Sequence, residues 1–406
     1  MAIDNWPRAV AHIDADYFYA NCELARRPEL RGRPVMVFGR LDTCILAKTP
    51  EAKAMGIKTA MPSWEAKKLC PKGIYIKGDF RYYTLVSRQM MEIFRQWSPV
   101  VEVYSVDEAF MDMDGLRGMY RKSYEQIGDE LRREIQMRLG ITVSVGISVN
   151  KTLAKMACEL NKPNGTAVLR GKQVREFLRG IPVTEVPGIG ASRGALLEKY
   201  QVRSCQALAQ LPPSLVERLF GKMGILLWRE LNNEFSFPVT SEPPPPKTIG
   251  RTSSFDKCVS DVRQVEGLAF YHLERTLNAL HRHRLLVEEM SLHLRDYDFR
   301  VYGLGHKLEK PTDDFFALAK ALGGLVRQVP KGRLWRSTGV IFHKLRSAEG
   351  RQLDLFEGPE KLATDERLNQ AKDQLNERFG QFSVASASSL FYGNQRLNKE
   401  KRLGLI

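Results

Sequence analysis

His12-Ile13-Asp14-Ala15-Asp16-Tyr17-Phe18-Tyr19-Ala20 is the stretch on which the reading turns. It begins inside a short apolar run, Ala9-Val10-Ala11-His12-Ile13-Asp14, that predicts a strand ending on a carboxylate. A charge at the end of a buried strand is costly unless it is paired or bound to a cation. A helix is expected from Tyr17 to Leu24. The Asp-x-Asp pattern therefore has two readings at this point: a cation site, or Asp16 as the N-cap of that helix.

A second acidic pair lies in Ser105-Val106-Asp107-Glu108-Ala109-Phe110, at the centre of an alternating segment, Val100 to Met113, that reads as paired strands. Adjacent carboxylates repel in water and would protonate in a core. A divalent metal resolves the conflict, because Mg²⁺ takes one or two carboxylates together with phosphate oxygens. Three carboxylates from two strands could hold two such ions for an in-line phosphoryl transfer. On the residues alone, a metal site and a purely structural placement both stay open.

Working outward, Arg33 to Phe38 predicts a second strand, and Leu46 to Gly56 and Pro62 to Leu69 predict short helices. Tyr82 to Trp97 and Tyr124 to Leu139 carry helical periods, and Ile141 to Val149 alternates as a half-buried strand. A helix from Thr152 to Leu160 stops at Lys162-Pro163-Asn164-Gly165. The first ~170 residues thus suit an α+β sheet with helices on one face. Residues 172–235 read as mostly helical. The four prolines Pro243 to Pro246 are stiff and extended, and set a linker at 240–247. Residues 248–346 then read strand, helix, strand, strand, helix, strand, a βαββαβ unit.

The chain has 406 residues, 43% hydrophobic and 27% charged, which excludes global disorder and is expected to divide into several domains. Its net charge of +15 points to a polyanion such as nucleic acid or a membrane surface, or simply to charge kept for solubility. Residues 247–346 carry a net +7 and 347–406 are neutral, so the excess belongs to folded surface rather than to a basic arm. No apolar run approaches the roughly 20 residues of a membrane span, and Met1 to Arg8 contains no secretory pattern. The six cysteines form no C-x-x-C, so reduced thiols, a cytosolic setting and no zinc site are expected.

Two further motifs carry chemistry. Val186-Pro187-Gly188-Ile189-Gly190 lies between helical stretches, where glycines let backbone N–H groups approach phosphate oxygens and the next helix begins. It reads as a helix-hairpin-helix clip for DNA backbone or as an ordinary helix-helix turn. Gln352-Leu353-Asp354-Leu355-Phe356 stands in a polar context after the last domain. It reads as a small apolar anchor for a partner's pocket or as a segment folded back on its own domain.

These four motifs, in this order, resemble a Y-family, lesion-bypass DNA polymerase of the polymerase IV and polymerase V kind. The resemblance covers about residues 9–346, and the tail motif extends it. It implies an α+β multidomain, right-hand polymerase: a palm (1–27 and 83–170), small fingers (28–82), a helical thumb with the helix-hairpin-helix (171–239), the proline linker, a little finger (248–346) and a C-terminal tail (347–406). By resemblance Asp14, Asp107 and Glu108 are the metal-binding and catalytic carboxylates for two Mg²⁺ ions, with the Ala15 carbonyl as a backbone ligand. Tyr17 and Phe18 border the triphosphate, Tyr19 is the steric gate against a 2′-hydroxyl, and Lys162 contacts the triphosphate. Lys247, Gly250 and Arg251 resemble the start of the little finger, where template phosphates are held.

In the fingers the chain departs from the family. Where many relatives read Asn-Tyr-x-Ala-Arg, it has Thr49-Pro50-Glu51-Ala52-Lys53, so a lysine offers a point charge in place of a bidentate fork. Polymerase V-type subunits have a similar Glu-Ala-Lys, which leaves the subgroup and accessory proteins of the SOS damage response open. The Gln352 to Phe356 segment resembles the motif that binds the bacterial sliding clamp (beta), implying a bacterial cytoplasm and a tether that raises effective concentration at the primer end. The expected activity is dNTP addition to a primer–template, error-prone and without proofreading, by a monomer that uses no membrane. A non-catalytic DNA-binding relative and a nucleotide cyclase are the other readings. The first would not need all three carboxylates, and the second has no use for the helix-hairpin-helix.

Overall fold

The structure, a computed structural model, describes Trp6, residues 8–39 and 44–349, and scattered positions between 367 and 384. Gln352 to Phe356 lies outside the described residues. In chain order the strands of the first unit are Val10–Ala15 (β1), Val35–Phe38 (β2), Ile45–Lys48 (β3), Ile74–Lys77 (β4), Val101–Val103 (β5), Glu108–Asp112 (β6), Val143–Ser148 (β7) and Thr166–Val168 (β8). The main sheet runs β5-β6-β1-β7-β8, antiparallel except between β7 and β8. A smaller sheet runs β3-β2-β4.

Strand alternation sorts the main sheet into two chemistries. Ala11, Ile13, Ala109, Met111, Val145 and Ile147 enter an apolar core with the helices Phe80–Trp97 and Tyr124–Leu139. The other face carries His12, Asp14, Glu108, Phe110 and Gly146. The sequence leads one to expect helices on one face only, but the helix Lys151–Cys158 lies against this second face. Gly146 explains why: a Cβ there would sit 2.2 Å from the carbonyl oxygen of Ala154 and the nitrogen of Cys158. Only a residue without a side chain lets that helix come so close. Gly146→Ala must push the helix off the sheet and is expected to cost about 3 kcal/mol, read as a lower urea midpoint at unchanged slope.

Residues 28–82 also depart from expectation. Leu46 to Gly56 is not one helix but β3 followed by the helix Pro50–Ala54. Pro50 holds the first helical position, where its missing N–H costs nothing. The buried Thr49 Oγ1 donates to the Arg33 carbonyl at 3.0 Å and accepts from the Val35 N–H at 3.1 Å. Neither β4 nor β8 has a counterpart in the sequence reading.

Helices Val174–Arg179, Ala191–Lys199, Cys205–Ala209 and Pro213–Leu231 surround a separate core. The chain then crosses back to the main sheet. The buried Glu230 carboxylate accepts from the N–H groups of Thr152 (2.9 Å), Ser236 (3.3 Å) and Phe237 (2.9 Å). Val239 packs with Val10, Phe110 and Ala154, and Thr240 N–H donates to Glu102 Oε2 at 2.9 Å. Residues 230–240 therefore form a strap on the first unit, so the first residue of the expected 240–247 linker is still bound to it. The first unit extends to Pro243 and the second begins at Pro244.

The second unit contains Ile249–Val259 (β9), Leu285–Asp296 (β10), Val301–Thr312 (β11) and Trp335–Ser347 (β12). They form one antiparallel sheet, β11-β10-β12-β9. Helices Val262–Arg282 and Phe315–Val326 pack on one face over Leu292, Leu294, Val340 and Phe342. The order strand, helix, strand, strand, helix, strand is the one expected from the sequence. Among the described residues, no helix is long and apolar enough to cross a membrane. The six cysteines are free thiols, four of them buried.

Candidate active site

The register of β1 on β6 places Asp14 directly opposite Glu108, so their side chains leave the sheet on the same face. His12, two residues earlier, shares that face. Its Nε2 lies 2.8 Å from Glu108 Oε2, and the same oxygen accepts from Lys155 Nζ, on the helix packed over Gly146. Burial alone would raise the Glu108 pKa, but the hydrogen bonds from His12 and Lys155 outweigh it and hold it at about 2. Asp14 is pushed up to about 6, by burial first; Lys162 opposes this, while Asp107 and Glu108 add to it. Lys162 Nζ stands 3.1 Å from Asp14 Oδ1 and 2.6 Å from Glu159 Oε1. Burial lowers the His12 pKa, so the ring is neutral. Its Nε2–H donates to Glu108, which leaves Nδ1 as a buried lone pair with no hydrogen-bond partner.

Asp107 sits in the turn between β5 and β6. The Ser105 hydroxyl donates to its carboxylate and accepts from the N–H groups of Asp107 and Glu108 at 3.2 Å each. The Ala15 N–H donates to the Asp107 carbonyl at 2.8 Å, which ties this turn to the end of β1. One donor atom each from His12, Asp14 and Glu108 lies within 4.8 Å of the others; Asp107 is not one of that trio, though its charge acts on Asp14. The His12 nitrogen that faces this cluster, Nε2, carries the proton given to Glu108, so at the cluster itself the donor atoms are the carboxylate oxygens of Asp14 and Glu108. Hard carboxylate oxygens, with that of Asp14 pushed up by burial despite the Lys162 ammonium beside it, suit a divalent ion of the Mg²⁺ type. His12 and Lys155 were missed by sequence reasoning. For His12 the signal was present, since a two-residue offset on a strand puts it on the face of Asp14.

The neighbouring aromatic residues divide by role. Tyr17 adopts a left-handed backbone, φ 39°, as it opens the helix Phe18–Arg26, and its ring is half-buried. Phe18 turns its ring into the core, 3% exposed, so it can offer a triphosphate only its backbone. Tyr19 stacks on Tyr83, with centroids 4.9 Å apart and rings 25° from parallel, and meets the edge of Phe80 at 5.6 Å. Tyr83 is itself fixed by a 2.8 Å hydrogen bond from its hydroxyl to the buried Glu23. Lys53 is exposed, and Lys48, missed in the sequence, joins it: burial first, then the charge of Lys53, lowers the Lys48 pKa.

In the helical part Gly188 has φ 91°, a conformation that favours glycine, and Gly188 and Gly190 are exposed over the buried Val186 and Ile189. Arg193 donates to the Gly188 carbonyl at 2.8 Å. In the second unit Lys247 is exposed and Gly250 lies on the sheet face away from the helices. Arg251 alternates to the helix side of edge strand β9, where Arg275 and Arg282 add their charges to its surroundings.

The likeness to known proteins agrees with this geometry. The impB/mucB/samB family model matches residues 13–159, and the model of that family's C-terminal domain matches 246–355. A DNA polymerase IV of Desulfatibacillum aliphaticivorans is 34% identical, over 93% of this chain and 96% of the relative. A DNA polymerase IV 1 of Bacillus subtilis (strain 168) is 31% identical, over 94% and 93%. Among solved structures, a Y-family DNA polymerase chimera of Dbh and Dpo4 superposes with TM-score 0.72 at 25% identity, over 84% of this chain and 99% of the other. An insertion ternary complex of Dbh DNA polymerase gives 0.57, also at 25%, with the same coverage. Both family models fall on the parts of the chain that hold the carboxylate cluster and the four-stranded second unit, and on that footing the chain belongs to the impB/mucB/samB family, as a Y-family DNA-directed DNA polymerase of the translesion class.

Proposed function

We propose that this polymerase adds a dNTP to a primer 3′ end using two Mg²⁺ ions held by Asp14, Asp107, Glu108 and the Ala15 carbonyl. The single observation that carries the reading is the β1–β6 register, which pairs Asp14 with Glu108 one residue from the Asp107 turn. When bound, the metal supplies Lewis-acid activation of the attacking oxygen and neutralises phosphate charge. His12 and Lys155 hold Glu108 ionised and oriented. Lys162 brings a cation to the side of Asp14, where it offsets the charge of a leaving pyrophosphate. Tyr19 forms a rigid floor under the sugar, with Tyr17, the Phe18 backbone and Lys53 toward the phosphates. Backbone N–H groups at Gly188 and Gly190 grip duplex phosphates, and Lys247, Gly250 and Arg251 grip the template.

The domain assignment that goes with this is palm 1–27 and 83–170, fingers 28–82, thumb 171–239, linker 240–247, little finger 248–346 and tail 347–406. The chain works in the cytoplasm as a monomer, without proofreading. It is tethered to a bacterial sliding clamp through Gln352 to Phe356, a part of the proposal supported by sequence alone. Primer extension with Mg²⁺ and dNTPs, past a panel of defined lesions and with or without clamp, tests it. Extension is expected on damaged and undamaged template, and deletion of 352–356 should remove only the stimulation by clamp. No extension by the intact chain would sink the proposal, and full stimulation of the deleted chain would sink the tether.

A further inference from the structure

Asp16 does not cap the helix that follows it. The residue at the cap position is Tyr17, which makes no side-chain capping bond. Asp16 is 3% exposed and spends both oxygens elsewhere. Oδ1 accepts from the hydroxyl of Ser144, buried on β7, at 2.7 Å; Oδ2 accepts from the backbone N–H of Asn164 at 2.8 Å. Its own backbone is pinned, since Asp16 N–H donates to the Thr142 carbonyl at 3.1 Å and the Asn21 amide donates to the Asp16 carbonyl at 3.0 Å.

Asn164 belongs to the Lys162-Pro163-Asn164-Gly165 turn, which has little freedom of its own. Asn164 has φ 56°, and a Cβ on Gly165 would lie 2.0 Å from the Asn161 carbonyl oxygen. A second anchor grips the turn: the Arg132 guanidinium donates to the Asn164 carbonyl and, at 3.1 Å, to Thr166 Oγ1. We infer that Asp16, together with Arg132, is a positioning residue that sets the turn so that the Lys162 ammonium stands beside Asp14. The inference rests on the reading of Lys162 as the cation that meets the triphosphate. The Asp-x-Asp spacing then has a division of labour: one carboxylate faces the reaction, and the next holds the arm that brings the compensating charge.

The test is steady-state dNTP incorporation on a saturating primer–template by Asp16→Ala, Asp16→Asn, Arg132→Met, Lys162→Ala and the Asp16→Ala/Lys162→Ala double variant. Asp16→Ala and Arg132→Met are each expected to raise KM for dNTP about tenfold, as a misplaced binding group does, with DNA affinity unchanged. The double variant should be no worse than Lys162→Ala, because residues acting through one another are not additive. Asp16→Asn should restore KM, since its amide oxygen still accepts from Asn164 and its NH₂ donates to Ser144. A normal KM in Asp16→Ala, full additivity in the double, or an Asn variant as impaired as the alanine each overturns the inference. If Asp16→Ala does not fold, Arg132→Met decides, and a normal KM there is a refutation. A Lys162→Ala variant with normal KM refutes the reading of Lys162 itself, and is told apart because the other outcomes all presuppose a raised KM in that variant.

Discussion

Asp14→Asn is expected to lose primer extension by about three orders of magnitude or more, on the scale of removing a principal electrostatic group from a reacting centre, while gaining stability in a chelator-containing buffer. The two effects have one cause. The carboxylate sits largely buried beside Glu108 and Asp107, and burial pushes its pKa up to about 6 from the ordinary aspartate range near 4. A carboxylate whose folded pKa is raised binds more protons folded than unfolded between those two values, so stability falls as pH rises from about 4 to about 6. Above that range the ionised group costs the fold on the order of 2–3 kcal/mol. The amide keeps the shape without the charge, so the cost disappears, and with it the donor that a cation would use. Melting the variant and the parent at pH 4 and at pH 7 checks this: the gain should appear at the higher pH only. An active Asn variant would remove Asp14 from the reaction. Loss of activity together with lower stability would mark its role as structural.

Tyr19→Ala is expected to admit ribonucleotides, with discrimination against a 2′-hydroxyl falling by roughly two orders of magnitude. The size of the effect follows from how the ring is held. Tyr19 lies between Tyr83 and Phe80, and Tyr83 is tied to Glu23 inside the core, so the ring is held in place and is not expected to swing aside for a bulkier sugar. Truncation at Cβ leaves an opening that the fixed neighbours are not free to close. Tyr19→Phe keeps the ring and should keep the selectivity, since steric bulk and not the hydroxyl does the excluding. Incorporation of rNTP against dNTP by the three proteins measures it. Unchanged selectivity in the alanine variant would take Tyr19 out of the gate.

The strands of the main sheet were legible, apart from the three-residue β8, because apolar residues recur along them and their carboxylates stand out of that pattern. Asp14 and Glu108 were therefore findable, and the βαββαβ order of the second unit was as well. The helix over the sheet's second face was not, because what permits it is the lack of a side chain at Gly146, and a lone glycine in a strand carries several meanings. β3 was read as helix because Ile45-Leu46-Ala47-Lys48 is too short for periodicity to separate the two states. Lys155 escaped because its meaning lies in a tertiary contact with Glu108, 47 residues away in sequence. Asp16 stayed open between a cation ligand and a cap because local sequence cannot distinguish a carboxylate that serves its own helix from one that reaches Asn164 across the fold.

The strap at 230–240 has a consequence for how such a chain can be recombined. Glu230 fastens the strap by a hydrogen bond from Thr152, Glu102 by one from Thr240, and Glu230 also holds the strap's own Phe237. A crossover that joins a foreign second unit upstream of Phe235 would replace residues whose partners stay behind in the first unit. A crossover inside the proline run cuts no such bond. The place where nature or an engineer can exchange the second unit as a cassette is therefore narrow, and it lies after the strap, where the chain has finished serving the catalytic half.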